Sequence, residues 1–197
     1  MSNILLIISI ILTVLCYILT LVSSLTSKKG NETAAEAVIR LTKNDNGLRL
    51  VESKDSIFNK YQIKRKIIKL KEKTYSSKSY FSLGIAYLLS GYSKLKDDTL
   101  EYLGKVIPYF YYLSFTPILS LVIGLVIKTS MDAKIGIVIF ILILIYQNIL
   151  SNLNTKAIDL VKDDNKDITK YLNNVIFTSK IFILSTMIQL IRMITML

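Results

Sequence analysis

The sequence predicts a mainly α membrane protein, with about four transmembrane helices and a small cytoplasmic α+β insertion. Three observations predict it. Uncharged apolar runs alternate with lysine-rich ones along the 197 residues, although the apolar share of 52% would by itself suit a soluble domain. The first run, residues 4–25, holds 22 residues without a charge, enough as a helix to cross the ~30 Å hydrocarbon core of a bilayer. Histidine is absent, which removes the commonest general base, the commonest zinc ligand and the His-dependent triads together.

Residues 1–27 form the N-terminal anchor. Nothing basic precedes the apolar run and Lys28-Lys29 follows it, so an uncleaved anchor is expected in place of a signal peptide. The positive-inside rule then puts Lys28 in the cytoplasm and the N-terminus outside. Cys16, the single cysteine, lies within this run and excludes an intrachain disulfide and a cysteine metal cluster.

Residues 28–75 form a basic cytoplasmic α+β segment. Thr33 followed three residues later by Glu36 is a capping box opening a helix over Ala34-Ala35-Glu36-Ala37-Val38-Ile39-Arg40-Leu41. Asn44-Asp45-Asn46-Gly47 ends it. Residues 48–52 and 66–71 read as two short strands, with a charged connection between them. Over residues 28–73 there are 13 Lys and Arg against 6 Asp and Glu. The plain reading of that surplus is topological; the functional one is contact of Lys64, Arg65, Lys66 and Lys69 with anionic lipid. Nucleic-acid binding is excluded, because the segment shows no groove or stacking platform.

Residues 76–97 hold the helix around which the rest is organised, capped by Ser76 or Ser77. Phe81, Ile85, Leu88, Tyr92 and Leu95 recur at helical spacing on one face. Its apolar stretch, residues 80–89, is too short to cross a bilayer and suits a buried or interfacial helix.

Residues 98–197 form a C-terminal membrane domain with three spans. The first covers residues 106–127; aromatic residues crowd its start, Pro108 opens it and Pro117 kinks it. Residues 128–134 make an outer loop. The next span begins at Ile135 and fades into Gln147, Asn148, Ser151, Asn152 and Asn154. Residues 156–167 are charged; Asp163-Asp164-Asn165-Lys166-Asp167 lacks the glycine and glutamate of a calcium loop, and Asp167 caps the next helix instead. The last span, residues 175–197, carries Lys180 and Arg192, both near enough to an interface to snorkel.

With the elements in this order, the chain resembles the bacterial membrane-bound neutral zinc metallopeptidases of the YugP type over nearly its whole length. The stretches that carry the resemblance are Glu32-Thr33-Ala34-Ala35-Glu36-Ala37, Gly47-Leu48 and Asn59-Lys60-Tyr61-Gln62. Tyr75-Ser76-Ser77-Lys78-Ser79, Gly84-Ile85-Ala86, Pro108 and residues 147–157 continue it. The resemblance implies a zincin helix, with two imidazoles four residues apart and a glutamate beside the first. Those positions carry Leu88, Tyr92 and Leu89 here, and the third ligand's position carries Asn154. The helix is therefore a degenerate zincin-like helix, and neither catalytic nor metal residues are expected. Zinc, the family's cofactor, is not expected in this chain.

The function that follows is a non-catalytic pseudopeptidase in the bacterial cytoplasmic membrane. It would bind a membrane protein partner or a second copy of itself through Phe81, Ile85, Leu88 and Tyr92. An envelope structural or anionic-lipid-binding protein is the alternative, and a small pore-forming or immunity protein a lesser one. Ser90 and Lys94, four apart, have the reach of a Ser-Lys dyad, but Lys94 lies in a polar tail where it keeps its charge. Glycine-rich phosphate loops and nucleophile elbows are absent from the sequence.

Overall fold

The structure, a computed structural model, describes residues 2–45, 47–54, 56, 58–96, 101–102, 109–111, 116–127, 129–161 and 166–197. These are mostly helical and fall into two compact units. An apolar unit takes in Met1–Val22, Ser114–Asn152 and Ile176–Leu197; an α+β unit takes in Ser23–Leu113 and Leu153–Val175.

Three helices are long and apolar enough to cross a bilayer: α1 (Ser2–Leu25), α6 (Ser130–Asp159) and α7 (Lys166–Ile194). Large apolar side chains stay exposed along them, among them Ile4, Ile11, Val138, Leu142 and Phe177. In water such a surface would aggregate, whereas hydrocarbon is its natural solvent. The chain is accordingly a mainly α membrane protein.

The span expected over residues 106–127 is divided. Tyr109–Tyr111 is a strand, β4, and the helix α5 covers only Thr116–Val126. Eleven residues rise about 16 Å, half the hydrocarbon thickness. Aromatic residues fit a pleated strand as well as a headgroup boundary, and here a strand partner is at hand. Pro117 is the second described residue of α5, and the residues just before that helix lie outside the described ones. Pro108 lies outside the described residues, as does most of the aspartate-rich stretch 163–167. The expected outer loop is shorter than predicted, because Thr129 accepts the Asp132 N–H at 3.2 Å and starts α6 early.

Within the apolar unit, Ile127, Ala133, Phe140 and Met193 form a buried cluster. At Gly136 a Cβ would overlap the Cδ1 end of the Ile127 side chain, which would have to turn aside.

The α+β unit carries α2 (Ala34–Leu41), α3 (Glu72–Tyr75), α4 (Tyr80–Lys94) and a sheet. The capping box predicted for α2 is present: the Thr33 hydroxyl accepts the Glu36 N–H, and the Glu36 carboxylate accepts the Thr33 N–H. The sheet consists of β1 (Arg49–Ser53), β2 (Lys60–Gln62), β3 (Ile67–Lys71) and β4, in the order β1-β3-β2-β4. β1 runs parallel to β3, while β2 is antiparallel to β3 and β4. The predicted strands are β1 and β3, shifted by one residue at their starts. β2 falls inside the expected charged connection, and Gln62 pairs with both Ile67 and Tyr109. On β3, Ile68 and Leu70 face inward and are fully buried.

Candidate functional site

α4 begins at Tyr80, three residues later than a cap at Ser76 would place it. Ser76 instead closes α3, its N–H reaching the Glu72 carbonyl at 3.3 Å. Ser79 is the N-cap, its hydroxyl accepting the Ser82 N–H at 3.1 Å. The chain after α1 fixes this start. The Gly30 and Tyr80 N–H groups donate to the Lys78 and Lys28 carbonyls, at 2.7 and 2.9 Å.

Almost all of α4 is interior. Leu88, Leu89 and Tyr92 have no exposure and Ile85 only 3%. α2 covers one side, where the Arg40 guanidinium donates to the Tyr87 hydroxyl and lies 5.7 Å from its ring centroid. The Glu32 carboxylate holds Arg40 there at 2.7 Å and raises its pKa further above the ordinary arginine value. The end of α6 covers another side, and the start of α7 a third. Phe81 is half-buried, edge-on to Tyr171 at 6.2 Å. Gly91 meets Ala157 so closely that a Cβ would stand 2.8 Å from its carbonyl carbon. The face of Phe81, Ile85, Leu88 and Tyr92 is thus filled by this chain's own helices. It is not the open docking surface that its apolar spacing suggested, because spacing marks an apolar face without saying what covers it.

Two of the four residues singled out by sequence meet, Tyr92 and Asn154. Tyr92, at the second imidazole position, donates its hydroxyl hydrogen bond to Oδ1 of Asn154, at the third-ligand position 62 residues away. Asn154 is 6% exposed. A phenol, a carboxamide and two leucines supply neither an anionic ligand nor a base for a metal-bound water. Among the described residues, no group of three or more metal-ligating side chains of the Cys, Asp and Glu kind comes together.

No family model, curated protein or solved structure matches the chain. Its chemistry is therefore read from its own geometry.

The remaining sequence candidates do not come together. Lys64, Arg65 and Lys66 are exposed in the β2–β3 loop, and Lys69 is half-buried in β3. The Ser90 hydroxyl is fully buried without a hydrogen-bond partner among the described residues, whereas Lys94 is exposed. They form no dyad.

One group of residues in the apolar unit was not singled out by sequence. Ser9 and Thr13 of α1 hydrogen-bond the Ser185 hydroxyl at 2.9 and 2.8 Å, and Gln189 Nε2 donates to Ser9 Oγ at 2.9 Å. Thr186 lies 3.5 Å from Ser120 of α5. Arg192 does not snorkel: it is 5% exposed and donates to the Gly124 carbonyl at 2.6 Å. That carbonyl belongs to the last described turn of α5, and a cation favours that end of the dipole. Gly124 admits the Gln189 carboxamide, whose Oε1 would be 2.7 Å from any Cβ. Lys180, by contrast, is exposed.

Proposed function

We propose that this chain is a non-catalytic membrane protein on a degenerate zinc-metallopeptidase scaffold, acting by association with a membrane partner and not by hydrolysis. The observation that carries the reading is the meeting of Tyr92 with Asn154 beside fully buried Leu88 and Leu89. Tyr92 meets Asn154 while Leu88 and Leu89, earlier on the same helix, are fully buried, and this chemistry is that of a packed core. With α4 covered, the partner contact falls on the exposed apolar surfaces of the long helices. The basic residues after α1 orient the α+β unit toward the cytoplasm.

Rebuilding the site tests this. The combined substitutions Leu88→His, Leu89→Glu, Tyr92→His and Asn154→Glu should give a protein that purifies with about one zinc per chain, where the parent carries none. A folded variant that takes up no zinc would sink the scaffold reading. Chelator-sensitive peptide hydrolysis by the unaltered protein would sink the non-catalytic one.

A second reading is favoured by the β2–β3 loop, which presents Lys64, Arg65 and Lys66 together and exposed. Three cations on one hairpin tip are attracted to anionic lipid by roughly 1 kcal/mol each. Charge reversal at Lys64, Arg65 and Lys69 should then abolish salt-dependent binding to anionic vesicles. Unchanged binding removes this reading.

A further inference from the structure

Three lysines from two separate stretches of chain reach one cavity in the α+β unit. It measures about 650 Å³, within the ~300–1,000 Å³ typical of small-molecule clefts. Lys66 reaches it from the β2–β3 loop, and Lys94 and Lys96 from the end of α4. Lys66 holds a φ of 50°, a left-handed conformation that glycine or asparagine adopts more cheaply.

The lining is built for an anion with a polar tail. Tyr61, 4% exposed, lies in the wall beside Ile63, and Leu41 and Leu95 add apolar surface. Burial, with the Asp45 charge assisting, pushes the Tyr61 phenol up to about 12, so it stays a donor at any physiological pH. Asn44 and Ser93 add a carboxamide and a hydroxyl. The lining holds two carboxylates, Asp45 and Glu101, against the three ammonium groups. They can accept from an amine or hydroxyl carried by the same guest.

We propose that this cavity binds a phospholipid headgroup, its phosphodiester held by Lys66, Lys94, Lys96 and Tyr61 and its hydroxyl or amine by Asp45 and Glu101. The proposal rests on the anionic-membrane reading of the basic loop and gives it a defined site. The lipid source follows from the chain itself: three bilayer-length helices keep it among phosphodiesters at a far higher local concentration than any soluble phosphate.

The test uses the full-length protein in mild detergent, with phosphatidylglycerol as probe and native mass spectrometry counting retained lipid. The wild type should retain one lipid per chain. Lys94→Glu combined with Lys96→Glu should lower retention by at least about tenfold, from roughly a fivefold effect per lysine. Lys94→Gln with Lys96→Gln should give a smaller loss and guards against misfolding from charge reversal. Unchanged retention in both double variants overturns the proposal. Displacement of the lipid by an equal concentration of inorganic phosphate also overturns it, because the guest would then be a free phosphate. These variants leave Lys64, Arg65 and Lys69 in place. Vesicle binding that persists while retention stays unchanged therefore fails the cavity alone, and vesicle binding lost only on reversing the loop residues upholds the broader reading separately.

Discussion

A methyl group added at Gly91 probes the packing of α4 against the end of α6. A Cβ there would stand 2.8 Å from the Ala157 carbonyl carbon and 3.1 Å from its Cβ, and would overlap the carbonyl oxygen. Carbon pairs rest at about 3.5–4.0 Å, so the two helices must part by about 1 Å. Backbone is the obstacle, and no rotamer change relieves it. Overpacking of this kind costs about 1–3 kcal/mol, and stretching the neighbouring Tyr92–Asn154 hydrogen bond adds about 1 kcal/mol. Alanine returns about 1 kcal/mol through its helix propensity. Gly91→Ala should therefore destabilise the α+β unit by about 1–3 kcal/mol. Gly84→Ala is the control: its Cβ would meet only the Tyr171 Cβ, at 3.1 Å, and it should stay within about 1 kcal/mol of the parent. Denaturant unfolding in mild detergent, followed by tyrosine fluorescence, measures both. A Gly91→Ala protein as stable as the parent would refute the packing, and with it the argument that α6 covers this face of α4.

Other substitutions read the remaining contacts. Arg192→Met should cost about 2–5 kcal/mol by leaving the Gly124 carbonyl without its charged donor in a nonaqueous interior; Arg192→Lys should recover part, and thermal unfolding in detergent compares them. Lys66→Gly should raise stability by up to about 1 kcal/mol by relieving its left-handed backbone, while lowering lipid retention in the mass-spectrometric assay. Glu36 should contribute a pH dependence. Hydrogen bonds from the Thr33 backbone and side chain lower its pKa below the ordinary 4.5, so the folded state binds fewer protons than the unfolded one. Its stabilisation is whole above pH 4.5 and is lost as pH falls through the lowered value. Glu36→Gln should flatten stability across that window, and an unchanged acid profile would show the capping box to be energetically idle.

How far the sequence discloses the fold depends on how local each cause is. The α2 capping box lies within four residues and is legible. The α4 helix is legible from its spacing, but its start is not, since Ser76, Ser77 and Ser79 are equally good caps until Ser76 is seen closing α3. β2 has three residues, too few for an alternation to register, and β4 is an aromatic run that serves a headgroup boundary or a strand alike. Only their pairing tells them apart. On α4, Leu88 and Leu89 announce burial by composition, whereas the Tyr92–Asn154 bond joins residues far apart in sequence and nothing local foretells it. The polar residues of the apolar unit occupy a middle ground. Ser9 and Thr13, Ser120 and Gly124, and Ser185 and Gln189 each recur at a spacing of four, a visible stripe. A stripe of hydroxyls in an apolar helix can face water, lipid headgroups or another helix, and sequence offers no choice among them.

That stripe also sets the order in which the protein can be made. Ser9 and Ser185 are 176 residues apart, so the hydrogen bonds that seat the first helix are completed by the last. Synthesis runs from the N-terminus at ~5–20 residues per second, which leaves α1 in the bilayer for on the order of ten seconds or more with Ser9 and Thr13 unmatched. Until α7 emerges, some other hydrogen-bond partner must serve them, whether the helix's own carbonyls as acceptors, a water at the insertion machinery or a chaperoning helix. Arrival of α7 is then the event that closes the apolar unit, and a product truncated before Ser185 is left with an anchor whose polar side faces lipid.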